Sequence, residues 1–275
     1  MTLKFYSRLI GLTGLLLVGL LPSHAQDAKD VKDAQEIVRA AVKAELAADE
    51  NDHSRWRYRD DQRDGTNTVS IVVETDHGSV KRMIAKGGQP LTEAEAKDED
   101  ARVQSFIHDP REIAKQKKDS EQDGKNAAEL LNMLPEAFLW KVQGEEEQRV
   151  TLHFQPNPGF RPPDMQSRVL GEMVGELVVD KGQNRIATIS GRLGQDVTIG
   201  WGMLGRLREG GTFRVERREI APKLWQITET HVHIEGKALF FKNIGQQQDE
   251  VQTEFTPVAA GTTLEQAAEM SKAHK

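Results

Sequence analysis

The chain has 275 residues, with 37 Lys and Arg against 43 Asp and Glu, a net charge of −6 and no cysteine. The missing thiols exclude disulfides and a lipid anchor attached through cysteine, so stability rests on core burial. The acidic balance argues against nucleic acids and anionic membrane surfaces as partners.

The N-terminus reads as a secretory signal. Lys4 and Arg8 make a positive start, Leu9 to Leu21 form an apolar run, and Pro22-Ser23-His24-Ala25 supplies small residues for cleavage before Gln26. The apolar run is about 13 residues, against the roughly 20 of a spanning helix. Residues 1–25 are therefore expected to be removed, leaving a periplasmic or secreted chain that is not an integral membrane protein. Without Lys4 and Arg8 the balance is 35 basic to 43 acidic residues, a net charge of −8. About 250 residues suffice for one large β domain, placed here at 26–257.

Asp27 to Glu50 is predicted to be helical, because Val31, Ala34, Ile37, Val38, Ala41, Val42 and Leu46 recur at three- and four-residue intervals. The stripe is narrow and alanine-rich, as expected of a helix that packs closely on something else. Strands follow around Trp56 and Tyr58, at Val69 to Val73, and at Val80 to Ala85 after a turn at Asp76 to Ser79. Thr92 and Glu95 form a capping-box signature that opens a helical insertion over about 92–134. Breaks are expected at Asp109-Pro110 and at Asp123-Gly124, and the charge-dense span 111–125 reads as a solvated or mobile excursion.

From Pro135 to Thr256 the pattern is β. Strands are expected at Ala137 to Val142, Val150 to Gln155, Arg168 to Leu170, Glu172 to Asp180, across Arg185 to Arg217, and at Lys223 to Ile234, Lys237 to Ile244 and Val251 to Phe255. Asp180 to Asn184 supplies a hairpin turn whose Gly and Asn tolerate positive φ. Residues 258–275 read as a short, flexible polar tail.

Few constellations carry chemistry. Gly200-Trp201-Gly202-Met203-Leu204-Gly205 matches G-x-G-x-x-G, but a dinucleotide site needs a following helix, and Gly210-Gly211 and a strand at Thr212 leave no room for one. The stretch reads instead as an apolar corner. Glu229, His231, His233 and Glu235 alternate along one strand, and His231 and His233 are weak metal candidates without a located third ligand. Arg206, Arg208, Arg214, Arg217 and Arg218 form a local basic cluster with two readings, a contact for an anionic headgroup or, favoured here, solvated charges paired with Glu209, Glu216 and Glu219. Neither G-x-S-x-G nor H-E-x-x-H occurs, so no catalytic residues and no cofactor are assigned.

The hairpin Gly175-Glu176-Leu177-Val178-Val179-Asp180 followed by Arg185-Ile186, set in a meander behind an N-terminal helix, resembles the outer-membrane lipoprotein carrier (LolA-like) superfamily. Val178 stands where that family usually has an aromatic, and the charged span 96–126 has no clear counterpart there. The resemblance implies an α+β fold: a curved antiparallel sheet, or half-barrel, with the N-terminal and inserted helices on its concave face. It also implies an apolar cavity, and its lining is placed at Phe138, Leu139, Trp140, Trp201, Met203 and Leu204. Three functions stay open. The leading one is non-enzymatic binding of a lipid or other apolar ligand, such as lipoprotein acyl chains. The others are an envelope module that binds protein partners without a ligand, and a metal-dependent enzyme at His231 and His233.

Overall fold

The computed structural model describes residues 24–65, 67–199, 205–238 and 246–272. Residues 1–23 of the expected signal peptide lie outside them, while His24 and Ala25, its last two, fall in the first turn of a helix. Among the described residues five helices and fourteen strands follow in order: α1 His24–Asn51, β1 Trp56–Gln62, β2 Thr68–Thr75, β3 Gly78–Lys86, β4 Gln89–Pro90, α2 Glu93–Ile107 and α3 Pro110–Ala137. Then come β5 Phe138–Glu145, β6 Arg149–Pro156, α4 Met165–Gly171, β7 Met173–Asp180, β8 Arg185–Leu193, β9 Val197–Ile199 and β10 Gly205–Leu207. The chain ends with β11 Thr212–Ala221, β12 Leu224–Ile234, β13 Gly236–Ala238, β14 Gln246–Pro257 and α5 Leu264–Met270.

Eleven strands form one antiparallel sheet in the order β4-β3-β2-β1-β14-β12-β11-β8-β7-β6-β5, open at both ends and curved into a half-barrel. A small second sheet holds β13, β10 and β9. Four of these helices, α2 to α5, begin where side chains satisfy their free N–H groups. Thr92 and Glu95 close a capping box on α2, Asp109 caps α3 with Pro110 at its first turn, Asp164 and Ser167 cap α4, and Thr263 and Gln266 cap α5.

Cross-strand partners share a face, so the ladder can be read outward from the aromatic strands. Trp140, Phe154, Gly175, Gly191, Phe213, Val232 and Gln248 form one continuous row across seven strands. That face carries α1, whose Ala34, Val38, Ala41 and Val42 are buried with Phe138, Trp140, Leu152, Phe154 and Leu177 in the larger core. On the other face of β2 and β3, Ile71, Val73 and Val80 pack with Val103 and Ile107 of α2 and with Leu264, Ala267 and Ala268 of α5 in a second core. The sheet is thus covered on opposite faces at its two ends.

Helix α3 connects those ends. Its N-terminal half contacts α2 and β3, and its C-terminal half contacts α1, α4 and β5. The Asp109-Pro110 break is present between α2 and α3, but α3 runs unbroken through Asp123-Gly124. Its charged middle is exposed yet anchored: Gln116 Nε2 donates to Ser79 O at 2.9 Å, and its Oε1 accepts from Ser79 N at 2.8 Å. Gly78, at φ +141°, lets the β2–β3 turn come this close, since a Cβ there would lie 2.9 Å from Gln116 Oε1.

Three further expectations change. Residues 168–170, expected as strand, lie in α4, because Asp164 starts a helical turn there. The tail is not frayed: α5 buries Leu264, Ala267 and Ala268, a small-residue face that lets a short helix lie close on the sheet. Of the strand expected at Lys237 to Ile244, only Lys237 and Ala238 fall within the described residues, and they belong to β13.

Candidate functional site

The concave face changes character along its rows. Val142, Leu152, Leu177, Ile189 and Val215 continue into Thr230, Glu250, Gln62 and Thr68. From β5 to β11 the floor is therefore apolar, and from β12 to β2 it is polar. The apolar half lies under α1.

Its centre is an aromatic cluster. Phe138 and Phe154 stand 4.6 Å apart, Trp140 and Phe154 5.3 Å, and Phe138 and Trp140 5.7 Å in an edge-to-face arrangement. Phe138 and Trp140 are only 2% and 1% exposed. The Trp140 indole N–H donates to Leu134 O at 3.1 Å, tying the end of α3 to the floor. Two glycines shape the seat of Phe154. A Cβ on Gly175 would collide with Ser190 O and come within 2.8 Å of the Phe154 ring; one on Gly191 would lie 2.6 Å from Val174 O.

Helix α1 is fixed over this floor by a buried charge network. Glu45, 3% exposed, accepts from Arg185 Nε at 3.0 Å, from Arg185 Nη2 at 2.9 Å and from Ile186 N at 2.7 Å, with Arg217 as a further partner. Burial alone would raise the Glu45 pKa, but the hydrogen bond from Arg185 and the charges of Arg217 and Arg185 outweigh it and hold it below the usual carboxylate range. The Arg185 guanidinium also lies 5.8 Å from the centre of the Trp225 ring. Arg217 was expected among solvated charges and is instead the anchor of α1. Arg214 and Arg218 do pair with Glu216, as expected, while Arg206 pairs with Asp196 and Arg208 with Glu235.

Between α1 and α3 lies a surface groove of about 520 Å³. Val42, Leu46 and Pro135 give it an apolar inner wall; Arg39, Lys43 and Glu50 are charged residues on its lining. Val42 belongs to the core that contains Phe138 and Trp140, and Leu46 packs against that core.

Of the residues placed on a cavity lining from sequence, Phe138 and Trp140 meet in the aromatic cluster, whereas Leu139 points to the other face and is 39% exposed. Trp201, Met203 and Leu204 lie outside the described residues. Gly205–Leu207, which begins at the last glycine of the motif, is strand β10, so no helix opens there. His231 and His233 share the convex face. His231 is held between Asp249, 2.6 Å from Nδ1, and Glu229, 3.5 Å from Nε2, while His233 is exposed. Among the described residues no three His, Cys, Asp or Glu side chains come together as a metal site. A bulge at Thr228 shifts Trp225 and Ile227 off the histidine face, because Ile227 pairs with Arg217 and Glu229 with Glu216.

Sequence reading missed the Glu45 network, the Gly175–Gly191 seat and the polar half of the floor. A charge inside the apolar stripe of α1, three residues after Val42, was the available signal for the first. No family model matches the chain, and no curated protein or solved structure is significantly similar to it. No described helix is long and apolar enough to cross a membrane.

Proposed function

We propose that the chain is an exported, non-catalytic binding protein that holds a lipid or another apolar ligand, such as an acyl chain, under α1 and α3 against the apolar half of the concave face. The observation that carries this reading is the α1–α3 groove, lined in part by Val42, which belongs to the core that holds the aromatic cluster, and by Leu46, which packs against that core. Its volume falls within the range of about 300–1,000 Å³ usual for small-molecule sites. Each buried methylene of an acyl chain stabilises such a complex by about 0.8 kcal/mol. The likeness of the Gly175–Ile186 hairpin to lipoprotein carriers points the same way, by analogy only.

Native mass spectrometry after mild purification, with titration of a fluorescent fatty acid, tests the reading. Bound amphiphile, or uptake that Leu46→Trp weakens at least tenfold by filling the groove, supports it. Folded protein that is free of ligand and takes up no fatty acid overturns it.

A second reading, an envelope module that binds protein partners, is favoured by strand β5. It is the last strand of the sheet, and Leu139 and Val142 on it are exposed large apolar side chains.

A further inference from the structure

On the polar half of the concave face, Asp60 of β1 is 2% exposed. Its Oδ2 accepts a hydrogen bond from Lys81 Nζ of β3 at 2.5 Å, while its Oδ1 is buried without any partner. Next to it on the same face is Glu250 of β14. The register sets Asp60 opposite Gln252 and Gln62 opposite Glu250, so the two carboxylates sit diagonally across one strand pairing. They lie within hydrogen-bonding reach of each other. Glu250 Oε1 accepts from Gln252 Nε2 at 2.6 Å and its Oε2 from Gln248 Nε2 at 2.9 Å.

With both groups ionised, two like charges face one cation across β1 and β14, and one buried oxygen stays unsatisfied. A metal ion would not cure this. Lys81 already occupies Oδ2, and both glutamines present N–H groups toward Glu250. A proton on Asp60 Oδ1, donated to Glu250, satisfies the orphaned oxygen and leaves a single negative charge opposite Lys81. We propose that Asp60 and Glu250 share one proton across the β1–β14 seam, and that losing it to solvent as pH rises loosens this seam.

Tyr58 and Glu74 are titratable neighbours of the pair. Tyr58, on the same face of β1, is kept neutral because burial, and then Glu74, Asp60 and Glu250, raise its phenol pKa. Glu74 of β2 is itself raised by burial and accepts from Trp56 N at 3.0 Å. Lys81 is the cation from β3, and β12 sets the uncharged Thr230 opposite Glu250. Ser70 of β2, opposite Asp60, is also uncharged. Arg59 and Asp61 point to the other face and pair with each other.

Burial, less the effect of Lys81 and aided by Glu250, pushes the Asp60 carboxyl up to about 6 from 3.8. Burial would raise Glu250 too, but bonds from Gln252, Gln248 and Asp60 bring it below its usual value. An acid raised on folding contributes stability that is complete below its unfolded pKa and is lost as pH rises through the folded one. For Asp60 that window runs from 3.8 to about 6.

The full chain with Asp60→Asn tests this, because the amide keeps an acceptor for Lys81 and gives Glu250 a permanent donor. Thermal midpoints and amide exchange of β1 and β14 are measured from pH 4.5 to 8 beside the parent. The parent is expected to lose midpoint and gain exchange in these strands as pH rises to 6, and the variant to show clearly smaller changes and to exceed the parent at pH 8. Equal pH dependence in both proteins, or a variant less stable than the parent at pH 8, overturns the proposal. Glu250→Gln supplies a second arm read by carboxyl NMR: the Asp60 transition moves down from 6 if the charge of Glu250 holds it up, and staying in place overturns the shared proton.

Discussion

Glu45 and Arg185 lie 140 positions apart in the chain and meet as a buried pair, with two bonds of 3.0 and 2.9 Å. One is in α1 and the other opens β8, so this contact orders the N-terminal helix against the middle of the sheet. Breaking a buried pair from one side leaves an uncompensated charge and costs about 3–5 kcal/mol. Glu45→Ala is expected to destabilise the protein by that amount in urea unfolding, because both Arg185 and Arg217 lose their carboxylate. Replacing an exposed ion pair, as in Arg39→Ala opposite Glu136, should cost under about 1 kcal/mol.

Acid should undo the same anchor. The folded pKa of Glu45 is below its ordinary 4.5, so the stability it contributes is complete above that value and is lost as pH falls through the folded one. Amide exchange in α1 is expected to rise below pH 4.5 before exchange in β2 and β3 does. Simultaneous loss in both regions would count against the anchor.

Gly175→Ala and Gly191→Ala are expected to be strongly destabilising, by about 3 kcal/mol each, because the added Cβ meets backbone rather than a flexible side-chain end. Near-ultraviolet circular dichroism should show the aromatic cluster disturbed, since Phe154 rests on both positions.

The middle of α3 gives a pair of opposite changes. Gln116→Ala removes both bonds to Ser79 and should cost about 1–3 kcal/mol, with faster exchange confined to α3 and the β2–β3 turn. Gly124→Ala, in open space within the helix, should stabilise by about 0.5–1 kcal/mol. A stabilising Gln116→Ala would show that the anchor is incidental.

Truncation after Val258 should expose the second core and strand Arg82, which is 5% exposed and bonds Ser271 Oγ at 2.8 Å and Ala268 O at 3.2 Å. The measured outcome expected is a loss of several kcal/mol or failure to fold, whereas removal of a frayed tail would be neutral.

Period-two and helical patterning made α1, most strands and the Asp180–Asn184 hairpin legible, and Asn184 indeed takes φ 53°. What stayed hidden depends on contacts between distant segments. A polar tail such as Thr262 to Met270 discloses its alanine face only once β2 and β3 are there to receive it. Asp123-Gly124 carries a turn signal, but neighbouring helix formers override one glycine. The polar floor was unreadable for another reason: Asp60, Lys81 and Glu250 come from three strands whose order in the sheet no local pattern gives.

The long reach of α3 bears on the shape of the sheet. Its 28 residues, at about 1.5 Å each, make a rod of about 42 Å whose two halves grip β3 and β5, near and at the opposite ends of the strand order. The sheet is in this sense a strung bow, and the helix is its string. Inserting one helical turn into the exposed span 117–125 should flatten the arc, and removing one should tighten it. Curvature in this molecule is thus a length that the sequence can rewrite without touching a single strand.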